Sequence, residues 1–215
     1  MKNSWLRKYL PIFIISLTIT SFAEEKKEKD YKEYVLLEDF ESIKITNQSF
    51  RIQANTNYLP DVRMSKTLIS PDLISNTSLL IRIPREGTGI PIDLFFPKPY
   101  SIEDYIIEFE FYVYSNQASG ELFMYLLDTH FQKHQIRIAN LNFDGWKNFK
   151  IQIGNKISQR NYILEKPSSV KLVGLQLNLT KKETKEREDI IAIDDIFIIK
   201  RKKYELPQEG LEIFH

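Results

Sequence analysis

The chain has 215 residues, with 30 Lys and Arg against 29 Asp and Glu, three histidines and no cysteine. So even a balance gives no general reason to expect nucleic acid or an anionic membrane surface as a partner. The missing thiol excludes disulfides, thiolate zinc sites, thiol catalysis and lipid attachment through cysteine.

Residues 1–23 predict a secretory signal peptide. "MKNSWLRKY" carries Lys2, Arg7 and Lys8 without an acid, "LPIFIISLTIT" is apolar, and Ser21 and Ala23 take the small-residue cleavage positions. The apolar run falls short of the roughly 20 residues that a spanning helix needs. Cleavage after Ala23 leaves 192 residues, enough for one soluble domain, with 27 bases against 29 acids and a net charge of −2. The stretch "EEKKEKDYKE" (24–33) reads as a charged linker or arm.

From Tyr34 the pattern is almost entirely β. "SLLIRI" (78–83), "PIDLFF" (91–96), "YIIEFEFYVY" (105–114), "ELFMYLLD" (121–128) and "HQIRIANL" (134–141) are short apolar segments. Turn-prone clusters such as "PREGTG", "FPKPYS" and "SNQASG" separate them. "WKNFKIQI" (146–153), "VKLVGLQLNL" (170–179) and "DIIAIDDIFIIK" (189–200) bring the expectation to eight to ten strands. Tyr105, Ile107, Phe109, Phe111 and Val113 alternate with Glu108 and Glu110, and Val173, Leu175, Leu177 and Leu179 alternate with polar residues. Many short antiparallel strands without crossover helices predict an all-β, two-sheet, jelly-roll-like sandwich over 34–203, with a tail at 204–215.

Two strands break the alternation. In 121–128 and in 190–199 both faces are apolar, so the second face needs a cover, either from the same chain or from another subunit. Trp146 is off parity with Phe149, Ile151 and Ile153. A bulge at the preceding Asp144-Gly145 turn signal is expected to swing the indole over the end of the core. The alternatives are an outward ring on a subunit contact or a sugar platform.

Chemistry-bearing motifs are few. His130 and His134 lack an acid partner in a metal-binding motif and read as a surface pair, with His215 at the end of the chain. Glu108 and Glu110 share a strand face, the spacing a glycosidase pair needs, but no third acid joins them. Asp194 and Asp195 sit amid isoleucines and need donors or a cation. Glu38, Asp39 and Glu41 of "LEDFES" meet them if the first and last strands are neighbours, which would offer oxygens of calcium type. Otherwise one aspartate faces water and the other accepts backbone N–H groups. No catalytic, cofactor or metal residue is assigned. The runs "KKETKERED" (181–189) and "KRKK" (200–203) read as a solvated hairpin and a strand end.

The order of "LEDFES", "NFDGWKNFKIQIGNKIS", "VKLVGLQLNL", a charged hairpin and "IAIDDIFI" resembles the spirochaete flagellar filament outer-layer (sheath) proteins of the FlaA type. The likeness is strongest over 141–199, with an echo at 36–42. It implies a periplasmic, non-catalytic protein that coats a flagellin core, contacts other sheath proteins and self-assembles along a filament, contributing to its shape and to motility. No cofactor, nucleic acid or membrane partner is implied once the signal is cleaved. Carbohydrate-binding jelly rolls share a D-F-E opening and an I-D-D-I strand, so the alternative is a secreted carbohydrate-binding module with a structural calcium.

Overall fold

A computed structural model describes residues 32–41, 51–54, 60–71, 75–84, 89, 91–160, 169–180 and 188–202. The signal segment, most of the arm, the charged hairpin, the C-terminal tail and His215 lie outside the described residues.

Eleven strands are present among the described residues: β1 (Glu33–Glu38), β2 (Arg51–Ala54), β3 (Asp61–Ser65), β4 (Ser78–Pro84), β5 (Ile92–Ile102), β6 (Tyr105–Asn116), β7 (Gly120–Leu127), β8 (Lys133–Asn140), β9 (Asp144–Gln152), β10 (Val170–Leu179) and β11 (Glu188–Arg201). One sheet runs β3-β4-β11-β6-β9, with β1 also paired to β11. The other runs β2-β5-β10-β7-β8. The pairings of β4, β6 and β9 in the first sheet and of β5, β7 and β8 in the second are antiparallel. Successive strands switch sheets repeatedly, and only β3–β4 and β7–β8 are sequence neighbours that pair. This is the all-β, jelly-roll-like sandwich that the short alternating strands predict.

The inner faces meet in one apolar core. Phe109, Phe111 and Val113 of β6 pack with Ile191, Ile193, Ile196 and Ile198 of β11, facing Leu122, Met124 and Leu126 of β7 and Leu175, Leu177 and Leu179 of β10. Alternation holds only between register shifts, where one extra residue turns the following side chains over. A shift opposite Ile199 and Lys200 puts Ile106 in the core and leaves Tyr105 and Ile107 half-buried, against expectation. A second shift, between Leu172 and Gly174, does the same to Val173. The "FPKPYS" cluster, expected as a turn, lies inside β5. Phe95 pairs with Gly174 and Tyr100 with Leu172, so Pro97 and Pro99, which have no N–H to give, sit in the irregular stretch between.

Candidate functional site

Asp194 and Asp195 occupy the shift in β11 where its pairing with β6 jumps from Asp194 to Phe197, and Asp195 takes a left-handed φ of 43°. Both are wholly buried, so neither faces water as expected for one of them. The Ser70 amide donates to Asp194 Oδ2 at 3.0 Å and the Ser75 hydroxyl to Oδ1 at 2.7 Å. The Ser70 hydroxyl donates to Asp195 Oδ2 at 3.0 Å. The pair therefore holds the segment before β4 against the bulge. Burial pushes the Asp194 carboxyl up to about 6, against the pull of the Ser75 and Ser70 bonds and with the help of the neighbouring Asp195 charge.

The first and last strands do meet, since β1 pairs β11. The acids of "LEDFES" nonetheless divide among separate partners. Glu38 accepts the Phe40 amide at 2.6 Å and the Tyr100 hydroxyl, Asp39 accepts the Glu41 amide at 3.0 Å, and Glu41 accepts the Asn76 amide. Among the described residues no group of three or more His, Cys, Asp or Glu is placed to hold a metal ion. Burial and the bond to Glu38 push the Tyr100 phenol up.

Glu108 and Glu110 are 7% and 5% exposed on the outer side of β6. Gln152 of β9 donates to Glu108, while Asn148 and Tyr34 donate to Glu110, the latter at 3.2 Å, with Lys150 Nζ at 3.7 Å. Both carboxylates are thus engaged by neighbouring strands and covered from solvent.

Trp146 points outward. β6 and β9 pair without a shift from Glu108–Gln152 to Asn116–Asp144, so the expected bulge is absent and Asp144-Gly145 is already strand. The indole lies opposite Tyr114, with ring centroids 5.8 Å apart at 60°. Beside Tyr114 is a cleft of about 440 Å³ lined by Arg63, Leu80, Arg82, Ile190 and the turn from Ser65 to Leu68.

The doubly apolar strands receive much of their cover from this same chain. On β11 the outward Phe197 lies under Tyr34 of β1, stacked at 4.7 Å. On β7, Phe123 and Tyr125 face outward, and Tyr125 is stacked on Phe95 at 5.9 Å with Lys133 Nζ 3.5 Å above its ring. Among the described residues, the large apolar side chains that stay exposed are Tyr34 at 54%, Leu36 at 36% and Phe131 at 69%.

Phe131 is held out by a turn that Asp128 organises, a residue the sequence reading passes over. Asp128 Oδ1 accepts the His130 and Gln132 amides at 2.8 and 2.9 Å, its carbonyl accepts the Phe131 amide at 3.0 Å, and Oδ2 lies 2.8 Å from His134 Nε2. The available signal was an aspartate opening a turn, whose carboxylate satisfies amides two and four residues on. Burial opposes ionisation of Asp128, but the His134 bond and the two amides outweigh it and hold the carboxyl below its usual range. Asp128→Ala is expected to cost roughly 2–4 kcal/mol by orphaning those donors, read as a lower urea midpoint with an unchanged slope. A change below 0.5 kcal/mol, within the usual range of surface substitutions, would contradict this role. His130, in contrast, is exposed in the turn, so the two histidines share no site.

The sequence profile of the flagellar filament outer layer protein family, FlaA, matches residues 104–206. No curated protein matches the chain. Among solved structures, it is similar to the family 11 carbohydrate-binding module of Clostridium thermocellum in complex with a mixed-linked tetrasaccharide. That likeness has 11% identity and a TM-score of 0.49, over 80% of this chain and 98% of that one. TmCBM61, in complex with β-1,4-galactotriose, is similar at 12% identity and a TM-score of 0.45, over 76% of this chain and 94% of that one. Identities this low say nothing of function, and the sandwich stands on its own strand pairing. The matched profile spans β6 to β11 and contains the whole of the stretch 141–199 on which the resemblance rests. Over residues 104–206, the chain is similar to the FlaA family of flagellar filament outer layer proteins.

Proposed function

We propose that this chain is a subunit of the outer layer of a periplasmic flagellar filament, seated on the flagellin core and on neighbouring sheath subunits, where it contributes to filament shape and motility without catalysis. The observation that carries the reading is the family match over 104–206, which takes in strands of both sheets. Residues 1–23 then serve as the export signal, 24–33 as an arm, 34–203 as the sandwich and 204–215 as a tail.

Exposed apolar groups at two separate places support assembly. Tyr34 and Leu36 lie on β1 in the first sheet, and Phe131 lies at the β7–β8 turn of the second. A filament repeats heterologous contacts without closing, which requires two different surfaces on each subunit. Phe131 also holds a left-handed φ of 62°, a conformation that costs a side-chain-bearing residue roughly 1–2 kcal/mol. Such strain, in a turn this well bonded, keeps an apolar ring in solvent.

The test is to shear and purify periplasmic flagella from cells expressing either the wild-type chain or Phe131→Ser, and to quantify the chain by mass spectrometry. Wild type is expected in a fixed ratio to flagellin after a salt wash, with the folded variant shifted to the free periplasmic fraction. Wild type found only in the free fraction would sink the sheath reading. A variant that stays on the filament would remove Phe131 from the contact.

A further inference from the structure

We infer that the outer face of the second sheet is a binding site for a neutral oligosaccharide. The inference is independent of the sheath reading, because it rests on side chains built into this face, none of which is Tyr34, Leu36 or Phe131.

Two rows of residues cross that face. Asp93, Gln176, Phe123 and Arg137 are successive partners on β5, β10, β7 and β8, and Phe95, Gly174, Tyr125 and Gln135 form the adjacent row. A hydrogen-bond network ties the rows together. The Tyr125 hydroxyl donates to Asp93 Oδ1 at 2.8 Å, and Gln176 Nε2 reaches Asp93 Oδ1 at 2.7 Å and Tyr125 Oη at 2.5 Å. Gln135 Nε2 donates to Gln176 Oε1 at 2.6 Å. An outward sheet face needs no such network for solubility, since separate solvated side chains suffice. Joined polar groups across four strands are fixed in direction before any ligand arrives.

The chemistry of the face selects its ligand. Carboxylate and carboxamide groups offer donors and acceptors side by side, which suits hydroxyls that both give and take hydrogen bonds. Half-buried Phe95 adds flat apolar surface beside them, and the ring of Tyr125, stacked on it but only 4% exposed, lies under Lys133, with no side chain on Gly174 between the two in register. A sugar ring presents that combination, an apolar C–H face rimmed by hydroxyls. A protein contact would instead deplete charge at its centre, whereas Asp93 and Lys133 sit beside the rings. Arg137 is paired with Glu121 at 2.8 Å, which engages its charge within the sheet and away from a polyanion. Lys133 Nζ, exposed and 3.5 Å above the Tyr125 ring, occupies the place where a sugar would stack and would swing aside on binding.

The experiment titrates the full chain with cellohexaose, chitohexaose and β-1,4-galactohexaose, followed by calorimetry and by backbone amide shifts. At least one probe is expected to bind with Kd below about 1 mM, with shifts confined to β5, β10, β7 and β8. Asp93→Ala and Gln176→Ala are expected to keep the wild-type fold by circular dichroism and to weaken binding about tenfold or more. Absence of binding for all three probes at 5 mM, about five times that limit, overturns the inference. So do shifts on another face, or folded variants that bind like wild type. Self-association on this face, detected by sedimentation and lost in the same variants while no sugar binds, would assign it to a second copy instead. A sugar site that survives in a chain absent from filaments would leave this inference standing and the sheath reading refuted.

Discussion

Gly174→Ala is expected to destabilise the second sheet severely, costing roughly 3 kcal/mol or more. A Cβ at this position would lie 2.4 Å from the Leu94 carbonyl oxygen and 3.0 Å from the Phe95 Cα. Both are backbone atoms of the paired β5, and Leu94 is fully buried, so no flexible side chain can yield. Relief requires β10 to move away from β5 just where the register already shifts, between Leu172 and Gly174. The control is Gly145→Ala. There a Cβ meets nothing within 4 Å, but φ is +87°, so only local backbone strain of roughly 1–2 kcal/mol is added. Urea unfolding of the two variants separates close approach from strain. A loss at Gly174 no larger than that at Gly145 would defeat the close-approach account.

Gly174 also marks the limit of what the sequence could disclose. Strand existence was legible because β6 and β10 alternate over most of their length and because apolar runs such as 78–83 and 121–128 are bounded by turn residues. The sequence pattern cannot show where a strand inserts an extra residue. Tyr105, Ile107 and Val173 were therefore expected in the core, and Ile106 and Leu172 occupy it. In β11 the two apolar sets mix at Asp194-Asp195: Ile191 and Ile193 point inward before the shift, Ile196 and Ile198 after it. For Trp146 the error ran the other way, since a turn signal at Asp144-Gly145 suggested a bulge where the ladder is regular. β1, β2 and β3 are six residues or fewer and too short for a period to emerge.

The candidate sites follow the same division. Asp194 and Asp195 were conspicuous because acids among isoleucines demand satisfaction, but their donors, Ser70 and Ser75, lie more than 100 residues away and are common residues. Asp93, Gln176 and Gln135 were invisible for the same reason. Each is an ordinary polar residue on a strand, and only the strand order β5-β10-β7-β8 brings them side by side.

The buried aspartate pair should show itself as a pH dependence opposite to that of most carboxylates. Asp194 has its folded pKa raised from the ordinary aspartate value of 3.8 to about 6, chiefly by burial. Between those values the native state holds a proton that the unfolded chain has released, so stability falls as pH rises. The contribution of protonated Asp194 is full below about 4 and is lost by about pH 6. Asp128, with its folded pKa lowered, works in the other direction, and its contribution is lost as the solution is acidified. A wild-type curve alone therefore mixes two slopes. Asp194→Asn isolates one of them. The amide oxygen keeps the Ser75 hydroxyl and Asp195 amide bonds at Oδ1, while its NH2 faces the Ser70 amide and forfeits that bond. The variant is expected to be less stable than wild type at pH 4, with the gap closing by up to about 3 kcal/mol as pH reaches 6. Asp194→Ala, which orphans all three donors in a wholly buried place, is expected to lose roughly 3–5 kcal/mol at pH 4, more than Asp194→Asn, with its gap to wild type narrowing over the same pH range. Urea midpoints at pH 4, 5, 6 and 7 for the three proteins decide it. A wild-type to Asp194→Asn gap that stays constant across that range would mean the carboxyl titrates alike in the folded and unfolded chain, and that its buried bonds, not its proton, set its contribution.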